Sequence, residues 1–306
     1  MTATSWREYR ELGDVMWLRD YDVALARAAE RGRPVLLLFQ EIPGCSTCLN
    51  FGHDVLANPL LVELIEDRFV AVAIHNNRPG KDAEILHRFS EPAWNNPVVY
   101  FLHADGQQIL PKLADRYDPL GLYQKILSVL EALGQDVPDY FRLLRDDLMI
   151  DYGLAKSAVF ETPCFWSGET TLAQHPAILT TEAGWIDGDE VVRVWFDPRV
   201  ADARALADFA RAEGFSTIAA TGFRSDEAPQ YYLSKSRFAH LALSPAQRSK
   251  INLAIPYQDR PERYLSPRQA DWFARPDIAK ISPPDTYREN FQQQWERLRV
   301  ALDNHG

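Results

Sequence analysis

The sequence predicts an α/β chain built in two halves. Three observations carry that prediction. Short, continuously apolar runs at 35–39, 69–74 and 97–102 alternate with helix-compatible stretches. A break follows at Gly134-Gln135-Asp136-Val137-Pro138, leading into a charged, amphipathic connector at 139–150. A second alternation then starts afresh at residue 157. Apolar runs of this length without polar interruption read as strands buried on both faces.

The elements follow in order. Residues 21–31 are rich in alanine and helix formers, and Gly32 and Pro34 stop them. The strand at 35–39 leads into Pro43-Gly44-Cys45-Ser46-Thr47-Cys48 and a further helix-compatible stretch. Asn58 is an expected N-cap, with Pro59 in the first turn of a helix over 60–68. Strands at 69–74 and 97–103 come next, and Ala104-Asp105-Gly106-Gln107 signals a turn toward a hairpin partner at 109–113. An amphipathic helix at 120–133 ends at Gly134. In the second half, strands are expected at 157–160, 191–196 and 216–221, and helices at 202–213, 245–253, 266–274 and 287–301. No internal repeat or low-complexity tract is visible.

Composition narrows the function classes. The 306 residues suggest two domains at roughly 100–200 residues each. The excess of 43 Asp+Glu over 33 Lys+Arg argues against a nucleic-acid or anionic-membrane partner. No apolar run approaches the ~20 residues of a membrane helix. The first ten residues lack an apolar stretch of the secretory type. A reducing, cytoplasmic setting is therefore expected, with no cofactor. Three cysteines cannot make a closed disulfide framework. In a reducing compartment a C-x-x-C is more often catalytic or metal-binding than structural.

Cys45 and Cys48 form such a pair after a central strand. A cysteine at a helix start gains from the unpaired N–H groups there, and the second cysteine lies one turn on, within disulfide reach. One thiol attacks and the other resolves. The alternative is a zinc half-site with His53 as the nearest further ligand, but His53 lacks metal-ligand spacing, so no metal is expected. Residues 26–112 resemble a thioredoxin-like domain through Pro34-Val35-Leu36-Leu37-Leu38-Phe39, Gly44-Cys45-Ser46-Thr47-Cys48, Phe69-Val70-Ala71-Val72-Ala73-Ile74 and Asn96-Pro97-Val98-Val99-Tyr100-Phe101. The resemblance implies a cis-proline at Pro97, facing the pair. Pro43-Gly44 stands where many members carry Trp-Cys.

Cys164 stands alone in Pro163-Cys164-Phe165-Trp166-Ser167-Gly168-Glu169. It lies at a strand end and a helix start, before two large aromatics. Read by itself it is a candidate nucleophile or an inert buried thiol. Residues 157–198 resemble peptide methionine sulfoxide reductase A. The matching features are this motif, Gln174-His175-Pro176-Ala177-Ile178-Leu179-Thr180-Thr181-Glu182-Ala183-Gly184-Trp185, Glu190-Val191-Val192-Arg193-Val194-Trp195-Phe196-Asp197-Pro198, and further on Asp226 to Tyr231 and Tyr264-Leu265. The resemblance implies that Cys164 attacks the sulfoxide sulfur and that Glu190 protonates the sulfoxide oxygen. It places Phe165 and Trp166 around the S-methyl group, and Asp226 and Tyr231 among the polar groups at the oxygen.

The implied plan has a thioredoxin-like domain at 1–140, a connector at 141–156 and an α+β, ferredoxin-like reductase domain at 157–306. The substrate would be a small-molecule or peptidyl sulfoxide. An external thiol reductant would close the cycle. The sequence departs from the reductase family at several points, among them Arg260-Pro261-Glu262-Arg263 where the family has Asp-His-Gln-Gln before Tyr-Leu. Pro163 and Ser167 replace flanking glycines, and the loop before Glu190 is missing together with its tyrosine. No cysteine follows Cys164. The sulfenic acid formed there must then be resolved by Cys45 and Cys48, the remaining thiols of the chain. Two other readings stay open: a repurposed reductase or sulfur-transfer enzyme for another oxidised sulfur or selenium compound, and a non-catalytic redox sensor.

Overall fold

The structure, a computed structural model, describes residues 9–227, 229–286 and 288–304. The N-terminal residues 1–8, Ala228 in the Asp226-to-Tyr231 motif, and Tyr287 at the expected start of the last helix lie outside the described residues. The chain divides into two compact units, 1–141 and 142–306.

In the first unit, α1 (Tyr21–Arg31) precedes β1 (Val35–Gln40). Asp20 caps α1 by accepting from the N–H groups of Asp22 and Val23, and Gly32 ends it in the left-handed conformation at φ 62°. The short α2 (Ser46–Asn50) runs through a wide turn at Phe51–Val55 to α3 (Pro59–Arg68), which Asn58 caps. β2 (Val70–His75), α4 (Lys81–Arg88), β3 (Val98–Leu102) and α5 (Pro119–Ala132) complete the unit. The sheet order is β2-β1-β3, with β1 parallel to β2 and antiparallel to β3. Every residue of the three strands is buried. Val35, Leu37 and Phe39 pack with Ala24 and Ala28 of α1 and with Ile85 and Leu86 of α4. The expected strand partner at 109–113 is reduced to isolated bridges, Val99 with Leu113 and Leu102 with Gln108.

One expectation is corrected. The cis peptide bond among the described residues is Ile42–Pro43, not Asn96–Pro97. An X-Pro bond takes the trans form unless its surroundings hold it otherwise. Asn96, the residue before Pro97, is the one that meets the cysteine pair: its Oδ1 lies 3.8 Å from Cys45 Sγ.

The expected connector is a helix, α6 (Asp139–Asp151), and the division between the units falls inside it, after Phe141. The second unit runs β4 (Lys156–Glu161), α7 (Phe165–Leu172), β5 (Ile178–Ile186), β6 (Asp189–Phe196), α8 (Ala203–Ala212), β7 (Ser216–Ile218) and the two-residue β8 (Arg224–Ser225). All neighbours in its sheet are antiparallel, in the order β7-β4-β6-β5-β8. The chain order from β4 to β7 is therefore the β-α-β-β-α-β plan of a ferredoxin-like sheet. Phe160, Val192, Val194 and Phe196 form its buried face with Phe165 and Leu172 of α7 and Leu206 and Ala210 of α8.

A second core gathers α9 (Tyr231–Ser234), α10 (Pro245–Tyr257), α11 (Pro267–Ala274) and α12 (Phe291–Asn304) around Leu241, Ile251, Trp272 and Trp295. Both α10 and α11 open with Ser-Pro-x-Gln, and each forms a capping box. The two capping glutamines, Gln247 and Gln269, exchange side-chain hydrogen bonds at 2.7 and 2.9 Å in the core. Among the described residues no helix is long and apolar enough to cross a membrane.

Candidate functional site

The cysteine pair sits where β1 ends. Gln40, fully buried, donates its side-chain amide to the carbonyl oxygens of Glu11, at 2.8 Å, and Cys48, at 3.0 Å. Glu11 Oε1 in turn accepts from the N–H of Gly44 at 2.8 Å. A Cβ on Gly44 would stand 2.5 Å from Cys48 Cβ and 2.6 Å from the carbonyl oxygen of Glu41, so only glycine lets the loop close this tightly. Cys45 caps α2, and its sulfur lies 3.7 Å from that of Cys48. Both are free thiols, Cys45 exposed and Cys48 buried.

Their settings push them apart. The Cys48 N–H, foremost, holds the Cys45 thiol below its ordinary value, helped by the Cys48 thiol and by Thr47. Burial pushes Cys48 up to about 12, and its contact with Cys45 adds to this. The exposed sulfur is thus the better nucleophile and the buried one holds its proton. A carboxylate oxygen of Glu41 and the two sulfurs all lie within 4.8 Å of one another. His53, the ligand weighed from the sequence, bonds instead to Asp54. Glu11, Gln40, Glu41 and Asn96 were not singled out from the sequence. Only Glu41, a carboxylate between a strand end and the C-x-x-C, carried a local signal.

The second constellation surrounds Cys164, half-buried at the N-cap of α7. Glu190 of β6 holds the chain on either side of it in two ways. Its carbonyl oxygen accepts from Thr162 N–H at 3.0 Å, and its Oε2 accepts from Phe165 N–H at 2.8 Å. The carboxylate is therefore fastened to the residue that follows Cys164. Trp166 stacks on Tyr231 with ring centroids 4.1 Å apart, and Phe165 meets the edge of Trp185 at 5.2 Å. Trp185 Nε1 donates to Asp226 Oδ1 at 3.1 Å. Cys164, Phe165, Trp166, Glu190, Asp226 and Tyr231, drawn from α7, β6, the end of β8 and α9, thus share one connected neighbourhood.

Glu169 ties these pieces together. It is fully buried on α7 and accepts from Ala183 N–H of β5 at 3.1 Å and from Gln230 N–H at 2.8 Å. Burial pushes its carboxyl up to about 8, against the pull of those two donors and Arg248. Gln230, in the left-handed conformation at φ 56°, donates to the carbonyl of Thr181 and accepts from Arg248, which sets the start of α9. β5 turns directly into β6 through Asp187 at φ 53° and Gly188 at φ 102°, a two-residue Asp-Gly hairpin.

Residues 16–104 match the model of a family described as thioredoxin-like. The match runs from before α1 to the end of β3 and contains both Cys45 and Cys48. The chain is thus a mixed α/β protein with an N-terminal thioredoxin-like domain. Similar solved structures include a DsbH oxidoreductase, 18% identical, covering 40% of this chain and 88% of that one at a TM-score of 0.33. They also include a thioredoxin from Thermus thermophilus, 24% identical, covering 38% of this chain and 86% of that one at a TM-score of 0.33. No curated protein matches the chain. A thioredoxin-like domain with an exposed and a buried thiol 3.7 Å apart is suited to thiol–disulfide exchange.

Proposed function

We propose that the chain is a thiol-dependent reductase of a methionine-sulfoxide-like substrate, with Cys164 as nucleophile and the Cys45/Cys48 pair as its resolver. The observation that carries this reading is the Glu190 carboxylate bonded to the N–H of Phe165, the residue that follows Cys164 at a helix start. The aromatic wall of Phe165, Trp166 and Tyr231 supports an apolar seat for an S-methyl group.

Cys164 attacks the sulfoxide sulfur and forms a sulfur–sulfur bond while Glu190 protonates the sulfoxide oxygen. The hydroxyl then passes from the substrate sulfur to Cys164 Sγ as both its bond to the substrate and the sulfur–sulfur bond break, which releases the thioether and leaves Cys164 as a sulfenic acid. Cys45 attacks the Cys164 sulfur, forming a Cys45–Cys164 disulfide and releasing water. Cys48 then attacks Cys45 Sγ, which frees the Cys164 thiolate and leaves a Cys45–Cys48 disulfide. Glu41, with its carboxylate within 4.8 Å of both sulfurs, is placed to take the proton that Cys48 must lose. An external thiol supplies two electrons and two protons to reopen the pair. The sum is one sulfoxide and two thiols giving one thioether, one disulfide and one water.

The test is a trap. Cys48→Ser in the full chain, treated with methionine sulfoxide, should accumulate a Cys45–Cys164 adduct visible by mass spectrometry, with one thioether formed per chain. Absence of both adduct and thioether overturns the reading. The two-residue turn at Asp187–Gly188 leaves no loop ahead of Glu190 and favours a variant of the same chemistry, on another oxidised sulfur or selenium compound. A sulfoxide and selenoxide panel with dithiothreitol separates the two.

A further inference from the structure

We propose that the reduced cysteine pair is also a binding site for a thiophilic divalent cation of the zinc type, held by Cys45 Sγ, Cys48 Sγ and a Glu41 carboxylate oxygen. The inference requires the pair to be reduced and is independent of the sulfoxide reading. Two thiolates and a carboxylate form a mixed sulfur and oxygen set that a borderline-soft ion prefers. The spacing fits one ion. Two sulfurs each about 2.3 Å from a tetrahedral zinc stand about 3.8 Å apart, and these stand 3.7 Å apart. The carboxylate oxygen lies within 4.8 Å of each. Asn96 Oδ1 lies 3.8 Å from Cys45 Sγ, and it or water would complete the set as the fourth ligand.

The three ligands are held by different parts of one tight loop. Glu41 follows Gln40, the last residue of β1, whose side-chain amide is tied to the Cys48 carbonyl. Gly44 brings the chain over Cys48, with no room for a side chain. Cys45 is exposed, which gives the ion its way in. Binding changes no oxidation state: each thiol releases one proton and gains one metal–sulfur bond. While the ion is bound, both sulfurs are engaged and no disulfide forms between them.

The test uses the full chain, reduced and kept free of oxygen, with zinc titrated against a chromophoric zinc indicator and cobalt(II) as the spectroscopic stand-in. The expected result is one zinc per chain, unchanged in Cys164→Ser, with thiolate-to-cobalt charge-transfer absorption. Zinc should slow oxidation of the pair by oxidised dithiothreitol. Glu41→Gln should bind at least about tenfold more weakly. Glu41→Asp, which keeps the carboxylate, should retain binding and so separates a lost ligand from a lost fold. Equal affinity in wild type and Glu41→Gln, equal loss in both Glu41 variants, or zinc that persists in Cys45→Ser/Cys48→Ser as an adventitious ion only, overturns the proposal. None of these readouts involves sulfoxide turnover.

Discussion

Cys45 and Cys48 carry the same thiol three positions apart, yet one turn of helix gives them opposite characters. Cys45 is exposed and receives the Cys48 N–H, which favours its thiolate. Cys48 is buried and keeps its proton to about 12. A prediction follows for reactivity rather than stability. In the reduced full chain, iodoacetamide should modify Cys45 first and leave Cys48 untouched until the protein unfolds. The rate at Cys45 should rise with pH and level off below the range of an ordinary thiol, near 8.5. At neutral pH it should exceed the rate at the same residue in urea. Peptide mapping by mass spectrometry reads all three. Equal rates for Cys45 in folded and unfolded chain would show that the helix start does nothing for its thiolate.

At the scale of elements, Asp197 shows how a strand end is fastened. It closes β6 with a side chain only 2% exposed and accepts from Arg199 at 2.8 and 2.9 Å and from Arg145 of α6 at 2.6 Å. The Arg199 hydrogen bonds, foremost, hold its carboxyl at about 2, below the ordinary 3.8. A carboxyl depressed in the folded state stabilises above its unfolded value and loses that contribution as pH falls through the folded one. Asp197→Asn should therefore cost about 2 kcal/mol at pH 7. The gap should close as pH falls from about 4 toward 2. Urea unfolding followed by tryptophan fluorescence at pH 7 and in acid measures it, and a gap constant with pH would assign the cost to packing instead. Elements whose burial follows one simple period were legible in the sequence. β1, β2 and β3 are buried on both faces and read as unbroken apolar runs. The start at Asn58 announces itself by its cap. β5 was not read as a strand because Thr180, Thr181 and Glu182 interrupt it. The threonines are buried, and Glu182 is matched by Arg193 on β6. α4 has no readable bounds in the sequence because only Ile85 and Leu86 are buried along its eight residues. In the site, the sequence pointed to residues whose spacing is local, Cys45 with Cys48 and Cys164 with Phe165 and Trp166. It did not point to Glu11, whose carboxylate meets Gly44 from 33 residues away, a contact that only the tertiary fold creates.

At the scale of the whole molecule, the three cysteines set an electron balance. Each turnover of the proposed cycle consumes two electrons, and the Cys45/Cys48 pair holds two when reduced. Covalent linkage of donor and acceptor replaces an encounter in solution with an effective concentration of roughly millimolar, provided the linker lets the sulfurs meet. In the proposed cycle a relay within one chain would then outpace one between chains at micromolar protein. The expected outcome is a rate of Cys45–Cys164 adduct formation in Cys48→Ser that is independent of protein concentration across a wide dilution series. Stopped-flow quenching with an alkylating agent, read by non-reducing electrophoresis, gives that rate. A mixing experiment checks the same point without kinetics. Full-length Cys164→Ser chains, which keep the pair, are combined with Cys45→Ser/Cys48→Ser chains, which keep the nucleophile, and sulfoxide is added. A relay confined to one chain leaves such a mixture with one equivalent of product per intact Cys164 and no inter-chain disulfide. A rate that rises in proportion to concentration, together with a disulfide-linked pair of chains in the mixture, would assign the exchange to encounters between molecules and remove the advantage of carrying both halves on one chain.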